Sequence, residues 1–229
     1  DQIICQGQTT SVTAINPNNA VISWSGGIQN GVPFSPSNVG NNVYTVTANL
    51  NNCIATDELT VTVNPNPQIN AGTDQTICEG EGVTLTAINP DGATIAWDNG
   101  VVDGQEFSPT VGTISYTVTA NLNDCIATDE VVVTVNEVPN FTVVSSSNPS
   151  TCGGNDGSIT LEGLNPTTAY TVSFNGNTGS TFTSDANGNI ILDNLTQGTY
   201  TDFEITLNGC IATNTTSITL NDPNAPTID

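Results

Sequence analysis

The chain contains no lysine, arginine, histidine or methionine, and that gap excludes more functions than any motif in it establishes. Its 22 acidic residues are unopposed and give a formal net charge of −22. Nucleic-acid binding needs cationic side chains that neutralise phosphates and release counterions, so DNA and RNA are excluded as direct partners. An anionic membrane surface repels such a chain for the same reason. Its chemistry is also narrow, with no histidine as general base, no lysine for a Schiff base and no arginine to clamp an anion. Carboxylates and hydroxyls remain, but repeats of about 73 residues leave little room for a glycosidase-type cleft between two carboxylates. The sequence reads as a non-enzyme. No apolar run approaches the ~20 residues that span a bilayer, so direct membrane insertion is not expected.

What the chain does have is repetition. Tyr44–Asn64, YTVTANLNNCIATDELTVTVN, returns as Tyr116–Asn136 with three differences, Asn52/Asp124, Leu59/Val131 and Thr60/Val132. Tyr44, Val46, Ala48 and Leu50 alternate with Thr45, Thr47 and Asn49, the period-two pattern of a strand with one buried and one wet face. Asn51–Asn52 turns the chain, and Leu59, Val61 and Val63 alternate with Thr60 and Thr62 on the way back, so the unit is a β-hairpin with Cys53 just past its turn. A looser copy, NGCIATNTTSITLN, ends at Asn221. Aromatics make up only 5% of the chain, yet this regular alternation argues for small packed cores rather than disorder.

The repeats predict an all-β tandem array of small Ig-like β-sandwich modules: module 1 over residues 1–66, module 2 over 67–139 and a diverged module 3 over 140–229. In module 2 strands are expected near Ile69 and over 83–88, 94–97, 105–108, 115–122 and 125–135, with no helical period anywhere. The segment Pro67–Thr73 that opens module 2 has no counterpart ahead of Asp1, so module 1 is expected to lack its first strand and to show an apolar groove beside Val12. Pro226–Asp229 resembles Pro67–Asn70 and reads as the lead-in to a further unit, so the sequence reads as a window on a longer array. Module 3 carries an extra segment, Gly179–Leu195, in which Asn187–Gly188 signals a hairpin turn.

Six cysteines fall two to a module, Cys5 and Cys53, Cys78 and Cys125, Cys152 and Cys210. Their similar separations favour one bridge inside each module, Cys5–Cys53, Cys78–Cys125 and Cys152–Cys210, among 15 possible connectivities. None lie close enough for a zinc site of the Cys-x-x-Cys kind. Disulfides imply an oxidising compartment and place the protein outside the cell, at its surface. No cofactor or metal is implied by the residues. Asp185–Asn189 has the oxygen spacing of the start of a calcium loop but lacks the later bidentate Glu, so the turn reading is preferred. Calcium at a junction between modules stays open, since an array this acidic gains from a hard divalent cation. Trp24 and Trp97 occupy matching strand positions and read as core rather than as a sugar platform. A carbohydrate-binding or spacer module of a secreted polysaccharide-degrading enzyme is the alternative function, with surface polysaccharide as its partner.

The order ICxGxxVTLTA, a tryptophan strand, FSPxxxGTxxYTVTA and then CIATDEVxVTVN resembles the repeat modules of very large surface proteins of gliding Bacteroidetes. TCGGNDGSITLEGL (Thr151–Leu164) and LTQGTYTDFEITLNGC (Leu195–Cys210) are similar to repeats of the SprB type of gliding adhesin. The resemblance covers essentially the whole chain. It implies type IX secretion, a stalk or surface filament that serves adhesion or gliding motility, and neighbouring modules of the same chain or fibre as the partners. The family offers no catalytic residues to carry over.

Overall fold

The computed structural model describes residues 1–223, so the expected lead-in segment Pro226–Asp229 lies outside the described residues. Strands occupy about half of the described residues, and a three-residue 3-10 turn, Ser25–Gly27, is the one helical element among them. By packing, the chain divides into two compact units: residues 1–73, 84–106 and 115–132 in one, and 74–83, 107–114 and 133 onward in the other.

Module 1 contains β1 (Gln2–Cys5), β2 (Val21–Trp24), β3 (Gly40–Leu50) and β4 (Cys53–Asn64), in the sheet order β1-β4-β3-β2. The duplicated hairpin is β3–β4, paired antiparallel from Gly40↔Val63 to Leu50↔Cys53. Its turn residues Asn51 and Asn52 have φ of 51° and 67°, the left-handed pair that a two-residue turn on a right-twisted hairpin requires. β1 runs parallel to β4, from Gln2↔Val61 to Cys5↔Asn64. Val61 and Val63 point inward against Val12, with Ile4, Trp24, Phe34 and Tyr44 packed around them.

Module 2 repeats this with β5 (Gln75–Cys78), β6 (Val83–Thr84), β7 (Thr94–Trp97), β8 (Glu106–Phe107), β9 (Gly112–Leu122) and β10 (Cys125–Asn136). The sheet order is β5-β10-β9-β7, and β6 pairs with β8. Two expectations need correction. The strand expected over 83–88 is cut to Val83–Thr84, because the Asp103 carboxylate accepts the Ala87 amide at 2.8 Å and Gly104 donates to Leu85 O at 2.8 Å, taking groups a longer ladder would use. The parallel edge strand β5 was not expected, since four residues between Gly72 and Gly80 are too few for alternation to stand out.

Module 3 has β11 (Thr142–Ser147), β12 (Gly157–Glu162), β13 (Ala169–Ser173), β14 (Ser180–Thr183), β15 (Ile190–Leu195), β16 (Gly198–Tyr200), β17 (Phe203–Leu207), β18 (Cys210–Asn214) and β19 (Ile218–Leu220). Its sheets are β11-β12-β15, β14-β13-β17-β18 and β16-β19, closed on a core that includes Ile159, Leu161, Tyr170, Leu192, Phe203 and Ile205. The hairpin expected at Asn187–Gly188 does not form: β14 pairs with β13 and β15 with β12, so the segment crosses from one sheet to the other. The loop closes on itself and on Leu164 instead. Asp185 Oδ1 accepts the Asn187 and Asn189 amides, and Leu164 donates to Gly188 O at 3.1 Å. Gly188 sits at φ 80°, and a Cβ there would meet Leu164 O at 2.0 Å, so no other residue fits.

Candidate functional site: module junctions and an open strand groove

The expected bridges Cys5–Cys53, Cys78–Cys125 and Cys152–Cys210 do not form. The disulfides are Cys5–Cys125 and Cys78–Cys210, each with a Cα–Cα distance of 5.5 Å, while Cys53 and Cys152 carry exposed free thiols. Strand register explains why. Cys5 lies opposite Asn64 at the end of β4, whereas Cys53 is the first residue of that strand. Eleven residues of strand separate them by about 36 Å, far beyond the ~7 Å that a disulfide tolerates. The same holds in module 2, where Cys78 lies opposite Asn136 and Cys125 begins β10. The two cysteines of a module mark its opposite ends, so each observed bridge joins the first cysteine of one module to the second cysteine of the next.

The two junctions share a second contact. Asn64, which ends β4, donates its side-chain amide to Asn123 O at 3.2 Å, and Asn136, which ends β10, donates to Asn208 O at 3.0 Å. In both cases the acceptor is the first residue of the hairpin turn that precedes the bridging cysteine. Those turns, Asn123–Asp124 and Asn208–Gly209, have positive φ throughout, as Asn51–Asn52 does. Cys125 and Cys210 are buried, at 0% and 1% exposure. The terminal asparagine of each hairpin was missed as a site residue, although its recurrence at Asn64, Asn136 and Asn221 was the available signal.

Cys152 sits where this arrangement predicts a first cysteine. Cys5 and Cys78 are each followed by an amide that donates to the terminal asparagine, Gln6 N to Asn64 O and Glu79 N to Asn136 O, both at 2.8 Å. Gly153 N donates instead to Asp222 Oδ2 at 3.1 Å, one residue past the terminal Asn221, and the Cys152 thiol donates to the same oxygen at 3.5 Å. That hydrogen bond and the negative charge of Asp222 push the Cys152 thiol above its ordinary pKa, so less of it is thiolate at neutral pH. Asp222→Asn removes the charge, and the rate of Cys152 alkylation by iodoacetamide at pH 7.5 is expected to rise several-fold while that of Cys53 stays fixed. An unchanged Cys152 rate would show that Asp222 does not hold the proton there.

The second feature is a groove on module 1. In module 2 the segment Pro67–Thr73 lies along the sandwich: Asn70 and Ile88 exchange two backbone hydrogen bonds, 3.1 and 2.8 Å, and Ala71 N donates to Asp129 Oδ2 at 2.8 Å. Pro67 and Ala71 are buried by this contact. The matching positions of module 1 line an open groove of about 390 Å³ that includes Thr13–Asn16, Ile22, Trp24, Val46, Ala48 and Asp57. Val118 and Ala120 are fully buried in module 2, but their counterparts Val46 and Ala48 are only half-buried. Ile15, the counterpart of Ile88, is 95% exposed. Thr13, next to Val12, lines the groove, while Val12 itself is buried in the core of the module and belongs to no strand.

Other candidate residues resolve as structure. Trp97 is buried with its indole N–H on Asp103 Oδ1 at 2.9 Å, and Trp24 is half-buried with its N–H on Asn30 Oδ1 at 3.2 Å. Asp129 anchors the Pro67–Thr73 segment through the Ala71 amide. Asp185 caps its own turn, and the backbone amides of Asn189 and Asn187 hold its carboxyl below the usual range. Among the described residues no three His, Cys, Asp or Glu side chains converge on a metal-binding group, and no helix is long and apolar enough to cross a membrane.

No family model and no curated protein sequence matches the chain. Among solved structures, extracellular domains 3–5 of Drosophila OTK are similar at 14% identity and TM-score 0.41, covering 96% of this chain and 94% of that one. Titin domains I67–I69 are similar at 14% identity and TM-score 0.40, over 96% and 95%. The eight N-terminal Ig domains of DSCAM give 13% and 0.43, over 91% of this chain and 36% of that one. The strand order and pairing, rather than these distant likenesses, define the class. The chain is an all-β tandem array of small Ig-like β-sandwich modules, with its disulfides running from one module to the next. The bridges place it in an oxidising compartment.

Proposed function

We propose that the chain is a stalk segment of a large secreted adhesin or surface filament, a repeat that sets reach and carries tension rather than catalysing a reaction. The observation that supports this reading is the bridge pattern. A cysteine pair that staples one module protects only that module, whereas Cys5–Cys125 and Cys78–Cys210 carry tension across module boundaries. The resemblance to gliding-adhesin repeats adds type IX export, display at the cell surface and a role in adhesion or gliding motility. The absence of lysine and arginine suits exposure to trypsin-like proteases, and a charge of −22 keeps neighbouring filaments apart.

Antibodies raised against the folded chain should decorate extended filaments on intact producing cells in immunoelectron microscopy. Labelling confined to a released, polysaccharide-degrading enzyme would overturn the stalk reading in favour of a spacer or carbohydrate-binding module.

A further inference from the structure

We propose that module 1 carries a binding site for an uncharged sugar chain, beside the aromatic pair Phe34 and Tyr44. The site is a recess of about 490 Å³ lined by these two rings together with Gly26, Ser37, Asn38 and Asn42. The rings meet edge to face, with centroids 5.1 Å apart and planes at 74°. Asn42 and Tyr44 are two residues apart on β3 and so share one face of the strand. Asn42 Nδ2 donates to Asn38 O at 2.8 Å and to Gly40 O at 3.0 Å, which fixes the side chain against the loop ahead of β3. Asn42 Oδ1, the Asn38 side-chain amide and the Ser37 and Tyr44 hydroxyls make no hydrogen bond among the described residues.

Module 2 keeps the rings and closes the recess. Phe107 and Tyr116 match Phe34 and Tyr44, yet Tyr116 is 4% exposed while Tyr44 is half-buried. Two residues past the tryptophan, module 1 has Gly26 and module 2 has Asn99. A Cβ on Gly26 would stand 3.6 Å from Tyr44 Cε1, so a side chain there starts against the ring, and that of Asn99 reaches over to Ser115 O at 3.3 Å. Between the matching Pro36 and Gly40, module 1 has Ser37, Asn38 and Val39 where module 2 has only Thr110 and Val111, and Asn42 is replaced by Ile114. The Pro67–Thr73 segment of module 2 bonds to Ile88, Asp91 and Asp129, whose counterparts Ile15, Asn18 and Asp57 lie outside the recess. The opening is therefore a property of module 1's own residues. What the lining offers selects the ligand. No carboxylate is among the described residues that line it, so a hard cation lacks its usual ligands. Anions are repelled by a chain of net charge −22 that has no lysine or arginine. A neutral molecule with an apolar face for the rings and hydroxyls for the amides fits, and that is the make-up of a sugar. This goes beyond the stalk reading, which needs no ligand, and it uses neither tryptophan.

The test titrates the whole chain with cellohexaose, maltohexaose, mannohexaose and xylohexaose at millimolar concentration and follows the backbone amide signals by NMR, with hexagalacturonate as the anionic control. At least one neutral hexaose should shift the signals of Gly26, Asn38 and Asn42 and leave those of Asn99, Val111 and Ile114 in place, and hexagalacturonate should shift neither set. Gly26→Asn installs the module 2 residue, which Asn99 shows to be compatible with this turn at φ 51°, and the unfolding midpoint should hold. Binding should weaken about tenfold in that variant, the loss of one stacked ring face. Asn42→Ile, again the module 2 residue, should weaken it as well. No shift with any of the four neutral hexaoses, equal shifts with hexagalacturonate, shifts spread equally over module 2, or binding that survives Gly26→Asn would each overturn the proposal. Antibody labelling of filaments is indifferent to this site, so the failure of one reading is distinguishable from the failure of the other.

Discussion

Pulled from Asp1 and Asp229, the oxidised chain should stop at about three-tenths of the extension it reaches after reduction. With both bridges closed the shortest covalent route runs from Asp1 to Cys5, crosses to Cys125, returns along the chain to Cys78, crosses to Cys210 and ends at Asp229. That route is about 70 peptide steps, roughly 240 Å when taut, against about 800 Å for the whole chain. Between the bridges the load passes through module 2 backwards, from its Cys125 end to its Cys78 end. Single-molecule pulling with and without a reductant reads this directly. An oxidised chain that unravels to the full length would mean that the bridges do not form in solution. The two enclosed loops also overlap in sequence, with separations of 120 and 132 residues. Unfolding any one module therefore cannot separate its neighbours. In chain-entropy terms each closure is worth about 5 kcal/mol, provided that the enclosed segments unfold together.

The hairpins and the inward faces of the modules were legible in the sequence because an alternation eleven or twelve residues long is hard to mistake, and a duplicate confirmed it. Val61, Val63, Val133 and Val135 are buried as the pattern requires. Strand register across non-adjacent segments was not legible. Equal spacing of the cysteines suggested pairs within modules, but spacing says nothing about which end of a strand a residue occupies. The parallel pairing of β1 on β4 and of β5 on β10 decides that, and it rests on four-residue strands with no periodic signature. The Asn187–Gly188 turn failed for a related reason. The turn chemistry was read correctly, but local sequence does not say which partners the flanking strands choose, and here they chose β13 and β12. The groove was foreseeable because it follows from aligning repeats, and the anchoring by Asp129 was not, because a carboxylate on a strand looks solvated until it is seen holding the Ala71 amide.

Extending the chain with PQINAGT ahead of Asp1 should raise the unfolding midpoint of module 1 by on the order of 10 °C. In module 2 this segment makes four hydrogen bonds to the body of the sandwich, two with Ile88, one from the Ala71 amide to Asp129 and one from the Gln68 amide to Asp91, and Pro67 and Ala71 are buried. Net of the entropy of ordering seven residues, such a contact is worth about 2 kcal/mol, which moves the midpoint of a domain this size by roughly that amount. The signal can be assigned to module 1 in a Trp97→Phe background, because Trp24 lines the groove and its emission should shift to the blue as the added strand covers it. Asp57→Ala supplies the control. If Asp57 takes the added alanine amide as Asp129 takes that of Ala71, the substitution should remove about a quarter of the gain while leaving the unextended chain nearly unchanged. No gain on extension would mean that the groove is not a strand site and that the alignment of the two modules ahead of Asp1 and Asp74 is wrong. A gain that survives Asp57→Ala intact would place the added strand in some other register.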